Sequence, residues 1–541
     1  MQRSSRLIAI IVCLAASAAF GPAHAQERVR MSWNTFEQDQ NRVISLLRGV
    51  QEMKRRNTAP KDSAAYRTSW EYWAAMHGYL GPTGQSGTVA DATARTGPLF
   101  AGLYTGMSDL TPPAVPAGLG QEVWEQCTHT FTDDQNVEHR ALHFLSWHRM
   151  YLYYFERVLR AAAGDPNLTL PYWDYTNEGQ LAGPVLFFVP ELQGAAGPIA
   201  NPLFEPRRTP GLGAFTGVLP EITNPDPVLQ QPDFEEFQVQ LEMGIHGSIH
   251  CAIGNGCIGP IMGLVPTSAG DPIFWVHHAN IDRLWDCWSK RYGETHNPIN
   301  DANWMNQSFV FVDETGARVT IQAKDLFGAN KRTDYRYERV SDCSRGPLPP
   351  PEQSFATRTA FAAVAPARVV EVRNVNITTP EASVPLPVPQ SGPRASTFRS
   401  AALAGGPRLA RAELVLEGIE TPSAPGVMYE VSLAVKGLPR SESVGFINFF
   451  GRDGGPNAHH GARQTRRFDV TSIVRRLQAQ GATGDWLVNL KATSGIAGQR
   501  TGFVGERFQA TRPTVSIQRI ELRVRDAGAR ANLPAILQDA N

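Results

Sequence analysis

The chain carries no excess charge of either sign, and this absence removes one class of partner. Lys plus Arg and Asp plus Glu number 51 each among 541 residues, so the formal net charge is zero. A balanced surface gives no electrostatic argument for binding nucleic acid or an anionic membrane. The length is sufficient for a large core and for more than one domain.

Long apolar runs are also lacking, with one exception near the N-terminus. Residues 7–20 are apolar, follow Arg3 and Arg6, and precede an Ala-His-Ala sequence at 23–25. This order is typical of a secretory signal peptide, and the run is too short for a confident membrane span. No cysteine follows directly, which argues against a lipid anchor. We therefore expect residues 1–25 to be removed and the protein to be secreted or periplasmic.

Cysteine is scarce, with only six residues in the chain. Cys251 and Cys257 bracket a glycine-rich loop and are the first expected disulfide, which an exported protein can form. Cys287 with Cys343 is the second expected pair. The odd number left after removal of the signal peptide leaves Cys127 over. A buried free thiol is one interpretation of Cys127.

Tryptophan and histidine are almost absent from the last third of the chain. Trp486 is the only tryptophan after residue 304, and His459 and His460 are the only histidines after 296. A proline-dense sequence begins at Gly346 and cannot form a helix, which indicates a linker. We predict a first domain at 26–345, a linker at 346–366 and a second domain at 367–541.

The two regions differ in their periodicity. Helical patterns are found in the first region, at 39–55, 63–77, 150–163 and 279–288. Alternating or β-branched segments dominate the second region, at 368–375, 412–418, 428–435, 444–450, 486–490 and 515–524. Short strands with Gly/Pro turns predict an antiparallel sandwich or barrel. A proline-rich stretch at 380–393 is predicted to be an exposed loop.

Seven histidines of the first region fall in two blocks. One contains His139, His143 and His148, and the other contains His246, His250, His277 and His278. His246 and His250 stand four apart, so on a helix they share one face and can bind one ion. No His-Glu-x-x-His or carboxylate ligand set accompanies them, which disfavours a zinc hydrolase. An imidazole set without cysteine or carboxylate points toward copper.

These blocks resemble those of the tyrosinase and polyphenol oxidase family, the type-3 dicopper proteins. Trp147-His148-Arg149 is similar to the first copper motif, and Asp271-Pro-x-Phe-Trp-x-x-His278-x-x-x-Asp282 to the second. Tyr335-x-Tyr337 resembles the motif that ends the catalytic domain. The resemblance implies a multidomain fold: a mainly α, four-helix-bundle dicopper domain followed by an all-β, sandwich-like C-terminal domain. In plant-type members that C-terminal domain covers the copper site.

The resemblance also implies which histidines bind two copper ions. For the first copper it implies His148 and His139, nine positions apart as in the family, with His77 as the third ligand and His129 as its alternative. For the second copper the expected ligands are His246, His250 and His278, with His277 as the adjacent alternative. His143 is expected to be a packing residue. Cys127-Thr-His129 is similar to the segment in which some members join cysteine to a ligand histidine by a thioether.

Four further residues match family positions around the metals. Asp282 is expected either to orient His278 or to cap its helix. Glu242 matches a position that holds a water near the phenol, and Val265 matches the gate above the second copper. Gly247 stands where strong monophenolases often have Asn, so tyrosine hydroxylation is in doubt.

The function that the resemblance implies is an exported dicopper oxidase of o-diphenols. It would convert o-diphenols, with or without activity on monophenols, to o-quinones while O2 is reduced to water. The partners would be O2 and a small phenol, without nucleic acid or a membrane span. Alternatives within the class are a tyrosinase with strong monophenolase activity and an o-aminophenol oxidase. Two alternatives belong to another class. They are a hemocyanin-like oxygen carrier and an inactive form whose C-terminal domain binds something else. We further expect residues 367–541 to shield the copper centre.

Overall fold

A computed structural model describes most of the two predicted domains. The described residues are 28–60, 62–77, 127, 129–132, 137–208, 215–259, 261–329, 331–340, 343–346, 348, 368–387, 409–422, 424–451, 463–480, 485–499 and 502–526. The predicted signal peptide lies outside them, as does the predicted linker apart from Gly346 and Leu348.

The first region is mainly helical. Its α-helices are α1 Trp33–Phe36, α2 Gln40–Arg55, α3 Ala64–Arg67, α4 Trp70–Met76, α5 Phe144–Ala163, α6 Asp226–Leu229, α7 Phe234–Leu241, α8 Gly247–Ile253, α9 Val265–Ser268, α10 Pro272–Tyr292 and α11 Ala302–Asn306. A π-helical turn, Glu242–His246, joins α7 to α8. Both α2 and α10 pack against α5. Phe237 of α7 stacks on Trp288 of α10 with ring centres 4.9 Å apart. These four long segments form the helical core that carries the histidines.

The predicted helices are present, and local capping explains where their bounds differ. Helix α5 is longer than expected and ends at Gly164, which adopts the left-handed conformation with φ 63°. Helix α10 starts at Pro272 because the side chain of Asp271 caps it. The predicted helix at 63–77 is two helices, because Ser63 and Ser69 each accept a hydrogen bond from a backbone N–H three residues later.

The ends of the first region are tied together. Strand β1, Arg28–Arg30, pairs in parallel with β8, Tyr335–Tyr337. A disulfide between Cys287 and Cys343 then fixes the segment after β8 to α10, and a second disulfide joins Cys251 to Cys257. Both predicted pairs are thus confirmed, and Cys127 is a free thiol.

The second region is a sandwich of two antiparallel sheets, as predicted. Among the described residues, the strands besides β1 and β8 are β2 Phe131–Thr132, β3 Glu138–His139, β4 Glu191–Gly194, β5 Gly197–Ala200, β6 Ser308–Val312, β7 Arg318–Gln322, β9 Arg368–Ile377, β10 Glu381–Leu386, β11 Leu409–Glu420, β12 Met428–Val435, β13 Ser441–Ile447, β14 Arg463–Asp469, β15 Trp486–Thr493 and β16 Val515–Asp526. One sheet has the order β10-β15-β12-β13 and the other β3-β2-β14-β11-β16-β9. Both sheets contribute side chains to one apolar core, for example Leu416 and Leu433.

The larger sheet crosses the domain boundary. Its first two strands, β2 and β3, belong to the helical region, and Thr132 of β2 is paired with Arg463 of β14. Arg467 of β14 also donates to the Glu138 carboxylate of β3 at 2.8 Å. The β-rich region is therefore joined by its own sheet to the segment that follows His129.

Three parts of the second region differ from the sequence prediction. The expected loop at 380–393 contains strand β10, which tolerates Pro385 because β10 lies at the edge of its sheet. Strand β14 was not predicted, since three of its seven residues are arginine. Two helices, α12 Thr471–Ala479 and α13 Phe503–Thr511, were also missed. Within the described residues, no helix has the length and apolar character needed to cross a membrane.

Candidate metal centre

Seven buried histidines converge where the four long helical segments meet. They lie at the end of α4, in the loop before β2, on α5, at the π-turn and α8, and on α10. They are His77, His129, His148, His246, His250, His277 and His278. The exposed fraction of each side chain is at most 7%. Such a concentration of buried imidazoles is unusual unless they bind something.

The hydrogen bonds of five rings fix which nitrogen can bind a metal. The Nδ1 atoms of four of these rings lie 2.7–3.0 Å from backbone carbonyl oxygens; the pairs are His77 with Val265, His148 with Phe144, His246 with Glu242 and His250 with Met262. The Nδ1 of His129 lies 3.3 Å from the Glu242 carboxylate. Because a carbonyl or carboxylate only accepts, Nδ1 carries the proton in each ring. Nε2 is then the atom that can bind a metal, as in known metal-bound histidines.

One group of rings is formed by α8 and α10. His246, His250, His277 and His278 bring ligand atoms within 4.8 Å of one another. The Nε2 atoms of His250 and His278 are 3.3 Å apart. His277 instead hydrogen-bonds Tyr175 through Nδ1 at 2.9 Å. His278 also stacks on His148 with ring centres 4.6 Å apart, so it faces the second group of rings.

The second group lies beside the first. His77, Cys127 and His148 bring ligand atoms within 4.8 Å of one another. His129 lies against this group, with ring centres 5.7 Å from His77 and 6.0 Å from His148. The Nε2 of His129 is 3.6 Å from the Cys127 sulfur, and that of His148 is 3.9 Å from it. The thiol thus lies between two of the three histidines.

His139 is not a member of either group, so the structure does not bring this predicted ligand to the others. It lies on the two-residue strand β3, opposite Phe131, and its side chain is exposed. The nine-residue spacing to His148 failed because α5 begins only at Phe144, so the two histidines do not share a helix. His129 takes the place that His139 was given, and the Cys127-Thr-His129 sequence was the signal for it. His143 stacks on Trp304, with ring centres 4.9 Å apart, and is a packing residue as expected.

Burial favours the uncharged form of four of these rings. The pKa of His148 is lowered first by burial and then by the neighbouring His77 and His129. Burial also lowers the pKa values of His246, His250 and His278, and the other histidines of the centre lower them further. Neutral imidazoles are the form that binds metal, so the site needs no proton loss before binding near neutral pH.

The donor set fits copper. Neither group contains a carboxylate, and neutral imidazoles with a nearby thiol suit copper better than the hard cations. The buried Nε2 of His246 has no hydrogen-bond partner among the described residues, although its Nδ1 is bonded. A metal ion bound to this nitrogen would explain why a buried acceptor has no hydrogen-bond donor.

Asp282 does not orient His278. Its carboxylate accepts hydrogen bonds from Tyr335 at 2.6 Å and Tyr337 at 2.7 Å, and it is ion-paired with Arg30 and Arg149. Burial alone would raise its pKa, but the two guanidinium groups and the tyrosine hydroxyls lower it. Asp282 therefore joins α10 to α5, β1 and β8. These bonds direct the carboxylate toward the arginines and tyrosines rather than toward His278, although the two residues are only four positions apart on α10.

Glu242 lies beside both groups of histidines, at the π-turn. Its carboxylate accepts from the backbone N–H and the hydroxyl of Thr130, both at 2.7 Å. A cavity of about 20 Å³, enough for one water molecule, is lined by Glu242 together with His129, Thr130, Met243, His246, Gly247, Asn448, Phe450 and Gln464. Val265 is buried at the start of α9, and the contact it provides is its carbonyl bond to His77.

The β-rich region reaches this cavity through the segment that follows β13. The ring of Phe450 lies parallel to His250, with ring centres 3.9 Å apart and planes 13° apart. Phe450 also contacts His246 and His129 edge-on. The side chain of Asn448 lies directly above Gly247. One face of the histidine centre is thus covered by the second region.

Comparisons with known proteins agree with these observations. Residues 67–211 and 207–291 match the common central domain of tyrosinase, and residues 298–345 match the polyphenol oxidase middle domain. A tyrosinase of Hahella sp. (strain CCB-MM4) is 29% identical over 322 residues, which is 54% of this chain and 60% of that protein. The latent polyphenol oxidase of Prunus armeniaca is 28% identical over 247 residues, 39% of this chain and 40% of its own length. The chain thus spans less than two thirds of these relatives.

A solved structure extends the similarity to both regions. Latent aurone synthase, a polyphenol oxidase, aligns with 94% of this chain and 92% of its own, with a TM-score of 0.53 and 17% identity. At that identity the alignment shows a common fold, in which a helical domain is followed by a β-rich one. The family models together match slightly more than half of the sequence, including His77, His129, His148 and the histidines of α8 and α10. The chain belongs to the tyrosinase and polyphenol oxidase family of copper oxidoreductases.

Proposed function

We propose that this protein is a dicopper oxidase that converts o-diphenols to o-quinones. His77, His129 and His148 would bind the first copper, and His246, His250 and His278 the second. The observation that carries the proposal is the shared tautomer: five of these six rings hold their Nδ1 proton on an oxygen acceptor and keep Nε2 for a metal. His278 completes the set because its Nε2 lies 3.3 Å from that of His250.

Copper ions bound there would supply the redox chemistry. Two o-diphenols would lose four electrons and four protons in total, giving two o-quinones, while one O2 becomes two waters. The protein's own residues bind the phenol and accept its proton. Glu242 is the buried carboxylate beside the one-water cavity, so a phenol proton can reach it directly or through that water. We assign Glu242 this role and retain Val265 as the gate residue.

The ring of Phe450 indicates where a flat substrate would lie. Phe450 is parallel to His250 at 3.9 Å, the arrangement that a stacked aromatic ligand would adopt. A phenol and Phe450 cannot occupy that face together. The β-rich region, residues 367–541, is therefore proposed to shield the centre, and substrate entry requires Phe450 to leave. Residues 1–25 are proposed to direct export, on the signal-like sequence alone.

Metal analysis and oxygen uptake test the function. The copper-loaded protein should contain two coppers per chain and should consume O2 with catechol, tyrosine and o-aminophenol compared side by side. Catechol is expected to be the best of the three. His148→Ala and His278→Ala should each abolish uptake and reduce the copper content to one, because each removes a ligand from a different metal.

The same assay separates the alternatives. Faster turnover of tyrosine or o-aminophenol than of catechol would replace the proposed substrate class. Reversible O2 binding with no uptake on any phenol would indicate an oxygen carrier, a class that the oxidase relatives do not favour. One copper per chain, or stoichiometric zinc with no oxidase activity, would overturn the dicopper proposal.

Shielding is tested in the full chain and in a shortened one. Phe450→Ala should raise kcat/KM for bulky catechols while the copper content stays at two. A chain ending near Gly346 should do the same if it folds. A Phe450→Ala protein with two coppers and unchanged kcat/KM would show that the β-rich region does not limit access.

A further inference from the structure

We propose that Gly247 is the socket for Asn448, and that this contact sets how firmly the β-rich region closes the metal centre. The inference rests on the proposed function, because closure matters only if a substrate must enter. It gives the glycine at 247 a docking role, in place of the effect on phenol hydroxylation that its position after His246 suggests.

The socket exists because the helix carrying His246 is not a regular α-helix. In the π-turn Glu242–His246 the backbone pairing shifts by one residue, which leaves carbonyl oxygens available to other donors. The carboxamide of Asn448 donates to the Met243 carbonyl at 2.7 Å and lies 3.4 Å from that of Gly244. It also lies 3.3 Å from the hydroxyl of Ser248. Asn448 thus binds the turn that positions a metal ligand.

Only a residue without a side chain leaves room for this carboxamide. A Cβ atom at position 247 would lie 2.5 Å from Oδ1, 2.9 Å from Cγ and 2.9 Å from Nδ2 of Asn448. Asn448 has little space to withdraw, since it is 6% exposed and its backbone carbonyl accepts from Gln464 at 2.9 Å. A methyl group at 247 must therefore displace Asn448 and break its bonds to the turn.

Displacement of Asn448 is transmitted directly to the ring that covers His250. Phe450 is two residues further along the chain, and its backbone N–H lies 3.4 Å from the Asn448 Oδ1. The segment 448–450 therefore holds two contacts on the metal centre at once: the carboxamide in the socket and the ring on His250. Loss of the carboxamide contact therefore loosens the ring contact, because the apolar ring of Phe450 has no hydrogen bond with which to hold the segment in place.

The experiment compares two alanine substitutions in the same turn. Gly247→Ala should raise kcat/KM for a bulky catechol about 10-fold relative to the wild-type chain. This factor corresponds to a loss of about 1.4 kcal/mol from the free energy that holds the β-rich region over the metal centre. Hydrogen exchange of residues 446–451 should accelerate by a similar factor. Gly244→Ala is the matched control, because the nearest atom to its added Cβ is Arg466 Nη2 at 3.7 Å, an ordinary contact. It should leave both quantities unchanged at equal copper content.

A second pair of variants tests whether the two residues act through one contact. Asn448→Ala removes the carboxamide and should give the same acceleration of exchange. The double variant Gly247→Ala/Asn448→Ala should then exchange little faster than Asn448→Ala alone. Without the carboxamide there is no clash at position 247 and no anchor left to lose. Additive effects in the double variant would mean that Gly247 does not act through Asn448.

The readouts keep failure of the socket apart from failure of the proposed function. Unchanged exchange in Gly247→Ala, or equal acceleration in Gly244→Ala, would overturn the socket. A changed ratio of tyrosine to catechol turnover without faster exchange would also overturn it, because the glycine would then act on substrate chemistry. Faster exchange in Gly247→Ala alone supports the socket even in a protein that oxidises no catechol, a result that would reject only the proposed function.

Discussion

The two halves of the metal centre are built from different kinds of structure. The second half has His246 and His250 one helical turn apart, across the end of the π-turn and α8, and His278 on the long helix α10. The first half has His77 at the end of α4, His129 in a loop and only His148 within a long helix. The structure brings together all the histidines predicted for the helical half, but in the other half it leaves His139 outside and places His129 beside His77 and His148.

The difference teaches what residue spacing can report. Spacing along one helix fixes which side chains share a face, so a separation of four positions already brings His246 and His250 together. Spacing across a loop fixes nothing of this kind. His139 and His148 are nine apart, yet β3 leaves His139 exposed while the loop before β2 brings His129 into the centre.

The largest effect is expected at His129, the proposed ligand that lies in a loop. His129→Ala should remove the first copper and abolish oxidase activity, because the loop supplies no other imidazole at that position. His139→Ala is the matched control and should retain two coppers and wild-type kcat/KM. Copper analysis of both purified variants decides the assignment. Copper loss in His139→Ala with retention in His129→Ala would restore the sequence-based ligand set.

A smaller effect is expected at Asp282, which follows His278 by one turn. Asp282→Asn should lower the free energy of unfolding by about 3–5 kcal/mol, since it leaves Arg30 and Arg149 buried without their counter-charge. Copper content should stay at two in the folded protein. Asp286 also pairs with Arg149, but the Asp286 side chain is 29% exposed. Asp286→Asn should therefore lower the free energy of unfolding by less than Asp282→Asn does. Urea unfolding measures both. Copper loss without destabilisation in Asp282→Asn would restore an orienting role toward His278.

The smallest effect concerns the hydrogen bonds that hold the loop carrying His129. Thr130→Val removes the hydroxyl that donates to Glu242 at 2.7 Å, while the backbone N–H bond remains. Copper affinity of the first site should fall roughly 10- to 100-fold, the range typical of lost outer-shell bonds. The second site should be unaffected, because its ligands are held by their own helices. Competition with a chelator, followed by copper counting, measures the two sites. Equal weakening of both coppers would show that the loop does not hold one site alone.

Comparing the two regions of the chain gives the same lesson on a larger scale. In the helical region the four predicted helices are present, but those at 150–163 and 279–288 were predicted to begin six and seven residues after α5 and α10 do, and Ser69 breaks the one at 63–77. In the β-rich region most strands were predicted from alternation. Strand β14 was missed, because its arginines do not look like a buried strand although three consecutive residues, 464–466, are buried. One of these arginines, Arg467, donates to Glu138 of the helical region.

The sequence by itself determined the class of fold, both disulfide pairs, the family and five of the six proposed ligands. These depend on local spacing and on residue types that have few other uses. Only the tertiary structure decided that His129 lies beside the centre and His139 outside it, that Asp282 bridges strands and helices, and that Asn448 and Phe450 cover the centre. Each of these depends on contacts between residues more than 50 positions apart or on where a loop enters the core, and no local pattern encodes such contacts.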